Sequence, residues 1–135
     1  MTRYLLDTHA LLWALATPRR LGTEARREIA DGANEVYVSL ASAWELCVKI
    51  AAGKLAPSGY DRLLDSAATF RAEVAIAGFE VLAISPAHVF ETKRLPLHHR
   101  DPFDRLLVAQ ARIEDLVLVT HDDALRPYGA RLLMI

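Results

Sequence analysis

The sequence has a single cysteine, Cys47, which excludes an internal disulfide and a cysteine metal site. Placed in a helical pattern beside Trp44 and Leu46, it reads as core packing. Charge of one sign is lacking too: sixteen basic side chains against seventeen acidic ones leave a net −1. Bulk electrostatics therefore does not mark the chain as a nucleic-acid binder, and that role would need local basic patches or metal ions. Lysine is scarce, three residues against thirteen arginines. The planar guanidinium suits phosphate recognition, but genome composition explains the bias equally well. No repeat, linker or low-complexity stretch is visible. The longest uncharged stretches, such as Thr8 to Pro18, are too short to cross a bilayer, and no long apolar region follows a basic start. A soluble, cytoplasmic protein without a membrane partner is expected.

What is present is apolar bulk. Hydrophobic residues make up 53% of 135 positions, enough for one domain over residues 1–135 with a substantial core. Tyr4 to Leu6 reads as a buried strand, followed by a helix from His9 to Ala16 that Pro18 stops. Thr23 is expected to cap a helix reaching Ala30, and Val36 to Ser39 is a second strand that runs into a helix ending at Gly53. After an "APSG" turn, Tyr60 to Ala77 has a long amphipathic pattern, open to a break in its middle. Val81 to Ile84 is a third strand, Pro86 opens a short helix, and "LPLHHRD" is a loop. Pro102 to Glu114 is the next helix, Leu116 to Val119 the fourth strand and Arg131 to Ile135 a fifth. Strands alternating with helices predict a three-layer α/β/α sandwich around a parallel sheet of four to five strands. In such sheets chemistry sits beyond the carboxyl ends of the strands.

Four acidic positions fall at that edge. Asp7 directly follows the first strand, where helix capping is the simplest explanation for it alone. Glu45 continues an apolar row made by Ala41, Val48 and Ala52. Pairing with Lys49 explains it equally well, at about 0.3–0.5 kcal/mol if exposed. Asp104 stands one turn into a helix capped by Asp101, over Leu107, Val108 and Ala111, a position expected to be buried. A capping box is one account, yet a charge under an apolar row costs several kcal/mol unless paired or metal-bound. Asp122 and Asp123 follow the fourth strand, where either suits a turn. Carboxylates gathered in one crevice raise one another's pKa, and a divalent cation removes that penalty. Oxygen ligands without cysteine or a spaced histidine pair favour Mg²⁺ or Mn²⁺ over zinc. Metal-assisted phosphodiester hydrolysis is the implied reaction.

The segments "LLDTHALLWAL", "SLASAWELCVKIAAGKL", "LPLHHRDPFDRLLVAQA" and "LVLVTHDDAL", in this order and spacing, resemble the PIN-domain ribonucleases, in particular the VapC-type toxins of bacterial toxin–antitoxin pairs. The likeness runs along nearly the whole chain, and the third segment carries most of it through its loop, Asp-Pro helix start and Asp-Arg step. The resemblance implies an α/β/α fold, Mg²⁺- or Mn²⁺-dependent endoribonuclease activity, homodimers, and a small cognate antitoxin whose tail covers the crevice. It carries the family's acids onto Asp7, Glu45, Asp104 and Asp122, with Asp123 in reserve. Asp7, Asp104 and Asp122 are the implied metal ligands. Asp101 matches as well but reads mainly as a helix cap, and Thr120 could orient a ligand or water.

Arg100, Arg105 and Lys49 are the basic side chains expected near an RNA substrate, with solvated charges or local ion pairs as the plain alternative. Structural hydrogen bonding is the preferred role of His98 and His99, and core or dimer packing that of Trp13 and Trp44. Tyr60 to Ala77 or the early helices are expected to form the dimer surface. Two other enzyme or signalling classes fit less well. A haloacid-dehalogenase-type hydrolase needs a second Asp where His9 stands, and a phospho-accepting receiver needs a lysine after its last core strand. A PIN-like interaction module without catalysis is disfavoured by the complete acid set.

Overall fold

Alternation along each strand sets the architecture. A computed structural model describes residues 1–55 and 61–135, and it contains five strands: β1 Arg3–Leu6, β2 Glu35–Ser39, β3 Glu80–Leu82, β4 Val117–Thr120 and β5 Leu132–Met134. All pair in parallel in the order β3-β2-β1-β4-β5. Tyr4, Leu6, Val36, Val38 and Val119 point into one apolar cluster, whereas Leu5, Tyr37 and Leu118 point into a second. Because successive side chains face opposite sides, the sheet has two cores and needs helices on both faces.

The helices supply those two covers. Those here called α1 (Thr8–Ala16), α2 (Thr23–Ala30), α3 (Leu40–Ala51), α4 (Asp61–Leu64) and α5 (Ala67–Ile76) contribute Leu11, Ala25, Leu46, Leu63 and Phe70 to the first core. The second core receives Leu107 and Val108 from α7, Pro102–Ile113, which packs beside the shorter α6, Pro86–Glu91. The three-layer expectation is met. No helix among the described residues is long and apolar enough to cross a membrane.

Several local expectations are corrected. Thr23 is the first residue of α2 rather than its cap; Gly22 holds that position at φ 81° and offers no side-chain acceptor. Cys47 is exposed rather than core. The amphipathic stretch does break: α4 ends at Leu64, and Ser66 starts α5 by accepting from the Thr69 N–H while Thr69 Oγ1 accepts from the Ser66 N–H. The "APSG" turn and Tyr60 lie outside the described residues.

One buried polar chain ties α7 to the sheet and to α6. Ser39 Oγ donates to Gln110 Oε1 at 2.6 Å, and Gln110 Nε2 reaches Ala83 O and His88 Nδ1. His88 Nδ1 also accepts from the Ser85 N–H, which leaves the ring proton on Nε2 to donate to Glu114 at 2.9 Å. Gln110 is fully buried, so Gln110→Leu would strip partners from several buried groups. It is expected to cost about 1–3 kcal/mol, read by urea unfolding; an unchanged midpoint would show these bonds to be dispensable.

Candidate active site

The strand order reverses its winding between β1 and β4. Loops on either side of such a switch point diverge and leave a crevice at the carboxyl ends of the strands. Here the crevice is a cavity of about 240 Å³ lined by Asp7, Thr8, His9, Glu45, Lys49, His99, Asp101, Asp104, His121 and Asp122. Asp7 leaves β1, Glu45 comes from α3, Asp101 and Asp104 from the start of α7, and Asp122 follows β4.

Three of these acids are helix caps as well as cavity walls. Asp7 Oδ1 accepts from the Ala10 N–H at 2.7 Å, Asp101 Oδ1 from the Phe103 N–H at 2.8 Å, and Asp122 Oδ1 from the Ala124 N–H at 2.9 Å. Capping and cavity-lining are compatible at Asp7, since a carboxylate has two oxygens and the cap uses one.

The other contacts fix the remaining acids. Glu45 is buried, with Oε1 taking the Thr8 hydroxyl at 2.6 Å and Oε2 the Lys49 ammonium at 2.7 Å. The Lys49 pair thus exists inside the cavity wall rather than in place of it. Asp104 is only partly buried, its side chain 21% exposed, because the cavity opens over it. His99 Nε2 lies 2.9 Å from both Asp104 Oδ2 and Asp122 Oδ2 and bridges them. Thr120 is buried and accepts from the Asp122 N–H, and its hydroxyl lowers the Asp7 carboxyl against the effect of burial.

Electrostatics records the crowding. The Asp104 carboxyl is pushed up to about 7, first by burial, then by the charges of Asp101, Asp7 and Glu45, with the His99 hydrogen bond opposing. Burial also raises Asp7, against the Ala10 N–H and the Thr120 hydroxyl. His9 reaches solvent, but the part of its ring shielded in the cavity wall and then His121 hold it below the usual imidazole range. Among the described residues Lys49 is the one ammonium in the wall. Such a donor set fits a divalent cation, which would remove the repulsion. One donor atom each from His99, Asp104 and Asp122 lies within 4.8 Å of the others. The all-oxygen set read from the sequence therefore gains a nitrogen, and His99 moves from a purely structural role into the cavity.

Other expected positions are placed differently. Asp123 pairs with Arg126 at 2.9 Å and its side chain is 80% exposed, so Asp122 is the member of that pair that reaches the cavity. Arg100 is exposed and does not line the cavity. Arg105 is turned inward over the preceding loop, donating to the carbonyls of Thr92, Leu95, Pro96 and His99. Trp13 packs partly against the first core, whereas Trp44 is 54% exposed and meets Phe103 edge-on. His9, His121 and Thr8 were not singled out from sequence; their only signal is adjacency to Asp7 and Asp122.

No curated protein matches the chain. Its fold is similar to that of VapBC2 from Rickettsia felis bound to a DNA fragment from their promoter, with a TM-score of 0.69, 15% identity and 99% of each chain covered. It is also similar to the DNA-bound VapBC of Salmonella typhimurium, with a TM-score of 0.59, 19% identity, and 99% of this chain and 98% of that chain covered. A toxin–antitoxin complex from Klebsiella pneumoniae matches at a TM-score of 0.56 and 16% identity, over 97% of this chain and 96% of that one. At these identities the likeness is one of fold. The PIN domain family profile, however, matches residues 4–130, and with nearly every position covered, the chain belongs to the PIN-domain family.

Proposed function

We propose that residues 1–135 act as one unit, a metal-dependent endoribonuclease that serves as the toxin of a VapC-type toxin–antitoxin pair. The observation that carries this reading is the Asp104 carboxyl, which shares one cavity with Asp7, Glu45 and Asp101 and is raised by all three. Asp7 and Asp104 would hold the principal cation, Mg²⁺ or Mn²⁺, and Asp122 would be a further ligand, to it through water or to a second ion. When bound, the cation neutralises the substrate phosphate and makes water a better proton donor. Glu45, fixed at both oxygens by Thr8 and Lys49, orients the attacking water and accepts its proton. Thr120 holds the Asp7 carboxylate in place. Arg100, exposed beside Asp101, contacts the RNA backbone. The membership in the PIN-domain family and the toxin–antitoxin complexes of similar fold support a small antitoxin that covers the cavity and a homodimeric, cytoplasmic toxin.

The test is cleavage of a labelled single-stranded RNA by the full chain. Cutting is expected with Mg²⁺ or Mn²⁺, lost with EDTA, and lost again in Asp7→Asn, which retains the cap acceptor. EDTA-resistant cleavage, or an Asp7→Asn protein as active as the wild type, would remove this assignment. Labelling of Asp7 by acetyl phosphate would instead favour a phospho-accepting module.

A further inference from the structure

A group of rings borders the acidic cavity without taking part in the chemistry proposed for it. His9 and His121 lie in the cavity wall, with ring centroids 4.6 Å apart in an edge-on arrangement. Trp13, one helical turn beyond His9 on α1, stands 5.8 Å from His9 and 5.4 Å from His121. Arg20 places its guanidinium 4.5 Å over the Trp13 ring, which holds that ring by a cation–π contact. His9 and His121 are exposed and Trp13 half-exposed, so the set forms a wall open to solvent. His9 follows Asp7 by two residues and His121 precedes Asp122 by one. His9 and His121 therefore follow the same two strands, β1 and β4, as two of the acids.

We propose that His9, Trp13 and His121 form a stacking platform for one unpaired nucleobase of the RNA, next to the phosphate that the acids address. This rests on the nuclease reading above. The rings are tilted by 54° to 68° against one another, so they meet edge to face rather than stacked, and each contact covers at most one face of a ring. With Arg20 over one face of Trp13, an incoming planar base lies against the solvent-facing sides of the exposed His9 and His121. Beyond Arg100 and the cation, charge has little to offer: half of the residues lining the cavity are acidic, its Lys49 is paired with Glu45, and Arg105 is engaged by backbone carbonyls. Base stacking on aromatic side chains is the main alternative source of affinity for single strands, and every base offers a face to it. Only a splayed-out base can enter, so the platform selects single-stranded or looped RNA over duplex. His9, Trp13 and His121 are in this sense positioning residues.

Binding separates this from catalysis. In a Trp44→Phe, Asp104→Asn background, Trp13 is the only tryptophan and the RNA is not cut. A single-stranded RNA octamer is expected to quench Trp13 emission and to bind about tenfold more tightly than an abasic strand of the same length, since one stacked base contributes roughly a factor of ten or more. His9→Ala or His121→Ala should each remove that advantage while leaving abasic binding unchanged, and His9→Phe or His121→Phe should restore it. Duplex RNA should bind no better than the abasic strand. Equal binding of base-bearing and abasic strands, unmoved Trp13 emission, or alanine effects that fall equally on both strands would overturn the platform. So would a failure of any strand to bind. Cleavage by the intact chain is scored separately: if it cuts RNA and these tests fail, the platform alone falls, and if base-dependent binding holds without any cutting, the nuclease reading falls.

Discussion

Asp104→Asn is expected to melt at a higher temperature than the wild type in the absence of metal, while cleavage falls on the order of 10³-fold. The two effects share one cause. In the unfolded chain the carboxyl titrates at its ordinary 3.8, but in the folded protein it is held up to about 7. The folded state then binds more protons between those values, so this group's contribution to stability declines as pH rises. The penalty is absent below about pH 4 and complete above about pH 7. At about 1.4 kcal/mol per pH unit it reaches roughly 4 kcal/mol, and partial exposure of the side chain reduces that to about 2–4 kcal/mol. Asn removes the charge and keeps an acceptor for His99. For a chain of this length, about 3 °C per kcal/mol gives a gain of about 6–12 °C at pH 7.5 and almost none at pH 4. Added Mn²⁺ should stabilise the wild type at pH 7.5 and scarcely move the variant. Scanning calorimetry at the two pH values, with and without Mn²⁺, checks all of this. If the variant melts at or below the wild type at neutral pH, repulsion among these acids is not what the cavity stores.

Arg105→Lys is expected to lose about 2–4 kcal/mol, or roughly 6–12 °C, although charge is conserved. Arg105 Nη1 and Nη2 reach Thr92 O at 2.8 Å, Pro96 O at 2.9 Å, Leu95 O at 3.0 Å and His99 O at 3.3 Å, with the Tyr128 hydroxyl also at 3.3 Å. A planar fork can serve five acceptors from one place, whereas an ammonium on a flexible stem cannot. The loop so gathered delivers His99, whose N–H also donates to Tyr128 Oη at 2.7 Å. Thermal melts of Arg105→Lys and Arg105→Ala decide the matter. A lysine variant as stable as the wild type, with weaker RNA binding only in the alanine variant, would return Arg105 to the surface role expected from sequence.

The central strands were legible because their residues are apolar on both faces, a pattern that helices alternating with a parallel sheet require. The acids were legible for a related reason: Asp7 and Asp122 each come right after such a strand, and Asp104 interrupts an apolar row. Histidine carried no comparable signal. His99 reaches Asp104 and Asp122 only because the loop from residue 95 onward curls over Arg105, and no local spacing encodes that path. Position after β4 alone leaves Asp122 and Asp123 equal, and only the resemblance favours Asp122. In the fold Asp122 lines the cavity and meets His99, while Asp123 turns to Arg126. Gly22 displaced Thr23 as the residue before α2 because the chain enters that helix at positive φ, 81°, which glycine tolerates better than threonine. Cys47 was placed in the core by its neighbours' composition, but it falls on the exposed side of α3.

Asp7, Asp101 and Asp122 divide their two oxygens between a backbone amide and the cavity. A saturation library scored for abundance and for the proposed RNA cleavage should therefore give two different tolerance profiles at Asp7 and Asp122. Abundance should accept Asn, Ser or Thr at all three positions and reject alanine and the larger aliphatics, whereas cleavage should accept aspartate alone at Asp7 and Asp122. A lineage that drifts into an inert version of this protein would keep short polar side chains at all three sites, so its sequence would still look half alive.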